Sequence, residues 1–175
     1  MNSLRPCQLR FLTLLHMERA TGDDAVDWAI CELESGNDSA ELRQIAGTRK
    51  PILLSDVSRD VERVFQQLKY SELDLEAVKL AYVTHLVINV AWKIADGQCD
   101  PLSGRDEICG IFNAYQFDLE TPGNASLYLF EWFEMVNGFH PESLDPTAEP
   151  KLISEIRRYA LRLLEEHDCS NIPTE

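Results

Sequence analysis

Tyr82, His85, Asn89 and Trp92 follow one another at spacings of three, four and three, so on a helix they form one polar stripe. A buried stripe of this kind pairs its hydrogen-bonding groups internally and fixes helix register. Beside a cavity, the same four residues form the wall of a small pocket. No nucleophile or metal co-ligand lies near His85 in sequence, so the internal network is the stronger expectation. Glu131 and Glu134 are a second pair, on one helix face, as acid–base carboxylates can be. They also read as the wet side of an otherwise apolar helix, and that simpler reading is preferred.

The familiar catalytic patterns do not occur. The chain has no Gly-x-Gly-x-x-Gly, no Walker loop, no Gly-x-Ser-x-Gly and no His-Glu-x-x-His. None of His16, His85, His140 or His167 follows a Glu by three residues, so a di-iron helix pair is not encoded. The sequence therefore predicts no catalytic residue, no metal site and no cofactor, and favours binding over an enzyme.

Charge is distributed unevenly. The 175 residues carry 16 Lys and Arg against 30 Asp and Glu, a net of −14. Residues 96–149 contain a single cation, Arg105, against 11 acidic residues. The same stretch holds 8 of the 15 aromatic residues. Carboxylates speed encounter with a basic protein, and aromatics supply contact area. Asp118, Glu120, Glu131, Trp132, Glu134 and Phe139 are the candidate residues of such a face. The net charge argues against nonspecific binding to nucleic acid or anionic membrane, since both need a basic surface.

The five cysteines, at 7, 31, 99, 109 and 169, form no Cys-x-x-Cys and are odd in number. They are expected to be reduced, mostly buried small hydrophobes, without a disulfide framework or zinc site. No signal peptide is recognised at the N-terminus. The longest uncharged run, Leu80 to Trp92, is too short to span a bilayer. A cytoplasmic location is the expectation.

Helical periodicity accounts for nearly every segment. Leu9, Leu12, Leu15 and Met17 suit a first helix, and Val26, Ile30 and Leu33 a second that stops at Gly36. Asp38 with Glu41 starts a short third, and Val57, Val61, Val64, Phe65 and Leu68 define a fourth. The span from about Leu73 to Ala95 is apolar nearly all round and predicts a central buried helix. Asp100-Pro101 caps and opens the next, Leu127 to Val136 suits an aromatic one, and Leu152 to Leu164 a last one. The three prolines at 141, 146 and 150 predict an extended loop over 139–150. The expected fold is all-α, a single globular domain of seven or eight helices over residues 1–170, with a frayed tail at 171–175. Trp28 and Trp92 are both expected to be largely buried.

Two stretches carry a resemblance. Gly36 to Gly47 reads G-x-D-S-x-x-L-R-x-x-A-G, and Gly97 to Gly104 reads G-x-x-D-P-x-x-G. Together with an aromatic, acidic helix at Leu127 to Val136, they resemble a family of small uncharacterised bacterial all-helical proteins, over about residues 25–135. The resemblance implies an all-helical fold and bacterial origin, and it carries no activity. Its elements are cap patterns, in which Asp38 and Asp100 satisfy free amides at helix starts.

Three functions follow as expectations. The first is a protein-binding module whose acidic, aromatic face holds a basic protein, similar in composition to proteins that protect bacteria from toxins. The second is a small-molecule binder or enzyme built on the Tyr82–Trp92 stripe. The third is a homo-oligomeric structural protein joined through the 127–136 helix.

Overall fold

A computed structural model describes residues 4–116 and 148–167. The described residues form seven α-helices and one short 3-10 turn, with no strand. The helices are α1 Pro6–His16, α2 Gly22–Glu34, α3 Ala40–Ala46, α4 Leu54–Gln67, α5 Leu75–Ala95, α6 Pro101–Ala114 and α7 Ala148–Glu166; the 3-10 turn is Tyr70–Glu72. This is the all-α class that the periodicity predicts. The chain divides into two compact units, Met1–Tyr82 and Val83–Glu175, with the boundary inside α5.

Short polar side chains set the starts of α2, α3 and α6. Thr21 caps α2 by accepting from the Asp24 amide, and the Asp24 carboxylate accepts in return from the Thr21 amide at 2.9 Å. Ser39, one residue after the expected Asp38, caps α3 through the Leu42 amide. Asp38 instead forms an ion pair with Arg43. Asp100 caps α6 through the Ser103 amide at 2.9 Å, with Pro101 at the first helical position as expected. The loop expected over 139–150 ends early, because α7 already includes Pro150. A proline in the first turn removes only an amide that has no helical partner. The expected aromatic helix at Leu127 to Val136 lies outside the described residues.

The first unit closes around aromatic side chains. Phe11 stacks on Trp28 with ring centroids 4.8 Å apart, and Phe65 and Tyr70 pack edge-on beside them. Val57, Val61 and Val64, spaced by four and three, turn one side of α4 into the same core. Gly22 lies where the segment after Pro51 crosses the start of α2. A Cβ there would sit 2.5 Å from the Ile52 carbonyl oxygen, so only glycine fits without a backbone shift.

Helix α1 is also joined to α2 covalently. Cys7 and Cys31 form a disulfide, with Cα atoms 6.4 Å apart. This corrects the expectation that all five cysteines are reduced. The two residues are 24 apart and lack a recognisable spacing; only the pairing of α1 with α2 brings them together.

In the second unit, Val83, Val87, Val90 and Ile94 of α5 are buried, as are Ile108 and Phe112 of α6 and Ile156, Ala160 and Leu163 of α7. Gly104 lets α6 approach Ile94, whose side chain would lie 2.5 Å from a Cβ. Helix α5 is the longest described helix, yet one side of it is open. Trp92 is 45% exposed, which corrects the expectation of a buried indole. Nine residues at about 100° each put Trp92 opposite Val83, away from the buried valine row.

Candidate functional site

The most elaborate polar arrangement in the described residues is centred on Glu32. Helix α2 puts Ala25, Trp28, Ala29 and Glu32 on one face, at the spacing of an apolar stripe, and Glu32 is 0% exposed. An ionised carboxylate is costly there unless its oxygens are satisfied. Its Oε1 accepts from Trp28 Nε1 at 2.8 Å and from the Tyr70 hydroxyl. Its Oε2 accepts from Asn37 Nδ2 at 2.7 Å and from Gln8 Nε2 at 3.0 Å. Four donors fill the acceptor sites of one carboxylate.

Each partner is held in turn. Gln8 Oε1 accepts from the Arg5 amide at 2.7 Å, and Gln8 Nε2 lies 3.2 Å from the Tyr70 hydroxyl. Burial, reinforced by the bond to Glu32, pushes the Tyr70 hydroxyl well above its ordinary range, so it remains a donor at any ordinary pH. The arrangement ties α1, α2 and the 3-10 turn into one polar knot inside an aromatic core. With its acceptor sites filled, the carboxylate is placed to hold structure rather than to take a substrate proton. The sequence reading passed over Gln8, Glu32, Asn37 and Tyr70. The available signal was the carboxylate seven residues after Ala25, on the apolar face of α2.

The stripe on α5 is divided by exposure. Tyr82 is buried at the end of the first unit. His85 and Asn89 are half-buried in the second, with Asn89 Nδ2 3.1 Å from His85 Nε2. Trp92 projects from the exposed side. Within the stripe, His85 and Asn89 form a polar pair. An open groove of about 760 Å³ runs instead along α7, lined by Ile153, Arg157, Arg158 and Leu161 among others. Among the described residues no cluster of three or more His, Cys, Asp or Glu could hold a metal ion.

The described parts of the acidic segment are 96–116 and 148–149, where Glu149 is exposed. Asp96, Asp100, Asp106 and Glu107 are exposed in the first. The hydrogen bond from the Ser103 amide, helped by Arg157, holds the Asp100 carboxyl below its ordinary range despite some desolvation. Arg105 is only 8% exposed, and its guanidinium turns onto Asp106 through Nε at 2.9 Å and Nη2 at 2.6 Å. Its Nη1 is buried without a hydrogen-bond partner among the described residues. Cys109, one turn on, is buried, which pushes its thiol up to about 11 against the opposing pull of Arg105. It stays protonated and unreactive near neutral pH. All six candidate face residues, Asp118, Glu120, Glu131, Trp132, Glu134 and Phe139, lie outside the described residues.

No helix among the described residues is long and apolar enough to cross a membrane. No protein-family model matches the chain, and no curated protein or solved structure matches it either.

Proposed function

We propose that the chain is a protein-binding module that captures a basic protein through the acidic, aromatic surface of residues 96–149. The observation that carries this reading is the burial of Arg105, the one cation of that segment. With Arg105 turned inward onto Asp106, the exposed charge of residues 96–116 is acidic throughout. Ordinary solvated faces mix signs; a face of one sign steers a partner of the other. A basic protein suits it, whereas the phosphates of nucleic acid or an anionic membrane would be repelled. In this reading aromatic residues of the segment other than the buried Phe112 add apolar contact area.

Capture from a native cell lysate, at about 50 mM and about 500 mM salt, tests the reading, because the Debye length falls from roughly 14 Å to 4 Å between them. A basic protein enriched only at low salt supports it. Enrichment of none, or of neutral and acidic proteins alone, removes it. The mass of the purified chain in solution separates it from the homo-oligomer, which would be a multiple of 19.9 kDa.

A further inference from the structure

The two residues of the Cys7–Cys31 bond differ in exposure. Cys7 is the second residue of α1 and is exposed; Cys31 is 3% exposed on the core side of α2. Other contacts hold these helices together beside the bond. Phe11 and Leu12 of α1 are fully in the core, and Phe11 stacks on Trp28 of α2. Gln8 and Glu32, the chain neighbours of the two cysteines, are hydrogen-bonded at 3.0 Å. One turn away, Arg10 pairs with Asp24 at 2.6 Å. With the sulfurs separated, every one of these contacts is still available to keep α1 seated. They would keep the Cα atoms at the observed 6.4 Å, within the span that a disulfide needs. A pair held at this separation recloses as an intramolecular step, with a high effective concentration.

We propose that Cys7 and Cys31 form a thiol–disulfide exchange centre that opens and closes with the fold intact, the exchanging substrate being a low-molecular-weight thiol of the glutathione class. Access selects the sulfur: the incoming thiolate reaches Cys7 Sγ and not Cys31 Sγ. A bond forms between the incoming sulfur and Cys7 Sγ. The Cys7–Cys31 bond breaks, and its electron pair leaves on Cys31 Sγ, which takes a proton from water. A second thiolate attacks the outer sulfur of the mixed disulfide, and Cys7 Sγ leaves as a thiolate. Two small thiols are oxidised to one disulfide, and the protein disulfide is reduced to two thiols. The reverse sequence recloses the centre. The inference is independent of the basic partner, since it concerns the first unit alone.

The test uses the full chain in reduced and oxidised glutathione buffers, without denaturant. Thiol labelling with peptide mass mapping follows the bond, and amide hydrogen exchange follows α1. The expected result is full, reversible reduction of the Cys7–Cys31 bond with exchange rates in α1 changed by less than about tenfold. Loss of α1 protection on reduction would make the bond a structural staple and overturn the proposal. So would a bond that yields only to denaturant. A second arm compares Cys31→Ser and Cys7→Ser, each with Cys99, Cys109 and Cys169 also changed to Ser. The Cys31→Ser chain, which keeps Cys7, should take up one glutathione from its disulfide at least about tenfold faster. Equal rates would also overturn the assignment.

Discussion

The Tyr70 hydroxyl donates to Glu32 Oε1 across 38 residues, joining the 3-10 turn to a carboxylate in the last turn of α2. Neither group has water to fall back on. Tyr70→Phe leaves the carboxylate short of one donor and should cost about 1–3 kcal/mol. Glu32→Ala strands Trp28, Asn37, Gln8 and Tyr70 together and should cost more, about 3–5 kcal/mol, because several buried donors lose their acceptor at once. Urea unfolding measures both. Equal and small losses would mean that the carboxylate is not the hub of the core.

The two indoles on the described helices should behave differently. Trp28 is buried and stacked on Phe11, so Trp28→Ala should cost about 3–5 kcal/mol. Trp92 is on the open side of α5, so Trp92→Ala should cost less than about 1 kcal/mol. Thermal unfolding of the two variants checks the assignment of faces.

Two glycines make an opposite pair. At Gly22 an added methyl meets the Ile52 carbonyl, and Gly22→Ala should destabilise by about 1–3 kcal/mol. At Gly110, exposed in α6, an added methyl meets nothing within 4 Å, and Gly110→Ala should stabilise by about 0.5–1 kcal/mol. Chemical denaturation of each variant reads the sign directly.

Asp24 gives the first unit an acid limb. Burial opposes its charge, but the bonds from Thr21 and the Arg10 guanidinium outweigh burial and hold its carboxyl below the ordinary 3.8. A group lowered by folding stabilises the fold above its unfolded value, and that contribution is lost as pH falls through the folded one. Stability of the wild type should therefore fall as pH drops below about 5, in part through Asp24. Asp24→Asn should flatten that limb and cost about 1 kcal/mol at neutral pH through the weakened cap. An unchanged limb in a pH series of melts would contradict this.

The helices were legible because apolar positions at three and four apart, with caps such as Asp100 before them, leave little else for the backbone to do. The cap of α3 was displaced by one residue because Asp38 and Ser39 are both good caps, and Arg43 draws Asp38 away. Trp92 was misread because α5 is apolar on nearly all sides, so periodicity cannot tell which side is open. The polar knot was hidden for a different reason. Gln8, Glu32 and Tyr70 are far apart in sequence, and a glutamate in α2 reads as solvated until packing puts its face inside. The disulfide was hidden likewise, because the α1–α2 pairing, not a spacing, makes it.

Charge reversal during lysate capture tests the central claim most directly. Glu131→Lys with Glu134→Lys changes the acidic segment, while Glu165→Lys with Glu166→Lys makes the same change in charge outside it. At about 50 mM salt the first pair should lose capture of the basic protein by an order of magnitude or more, and the second should retain it. Equal capture by both variants and wild type would contradict the account and reduce the acidic segment to a solvated surface.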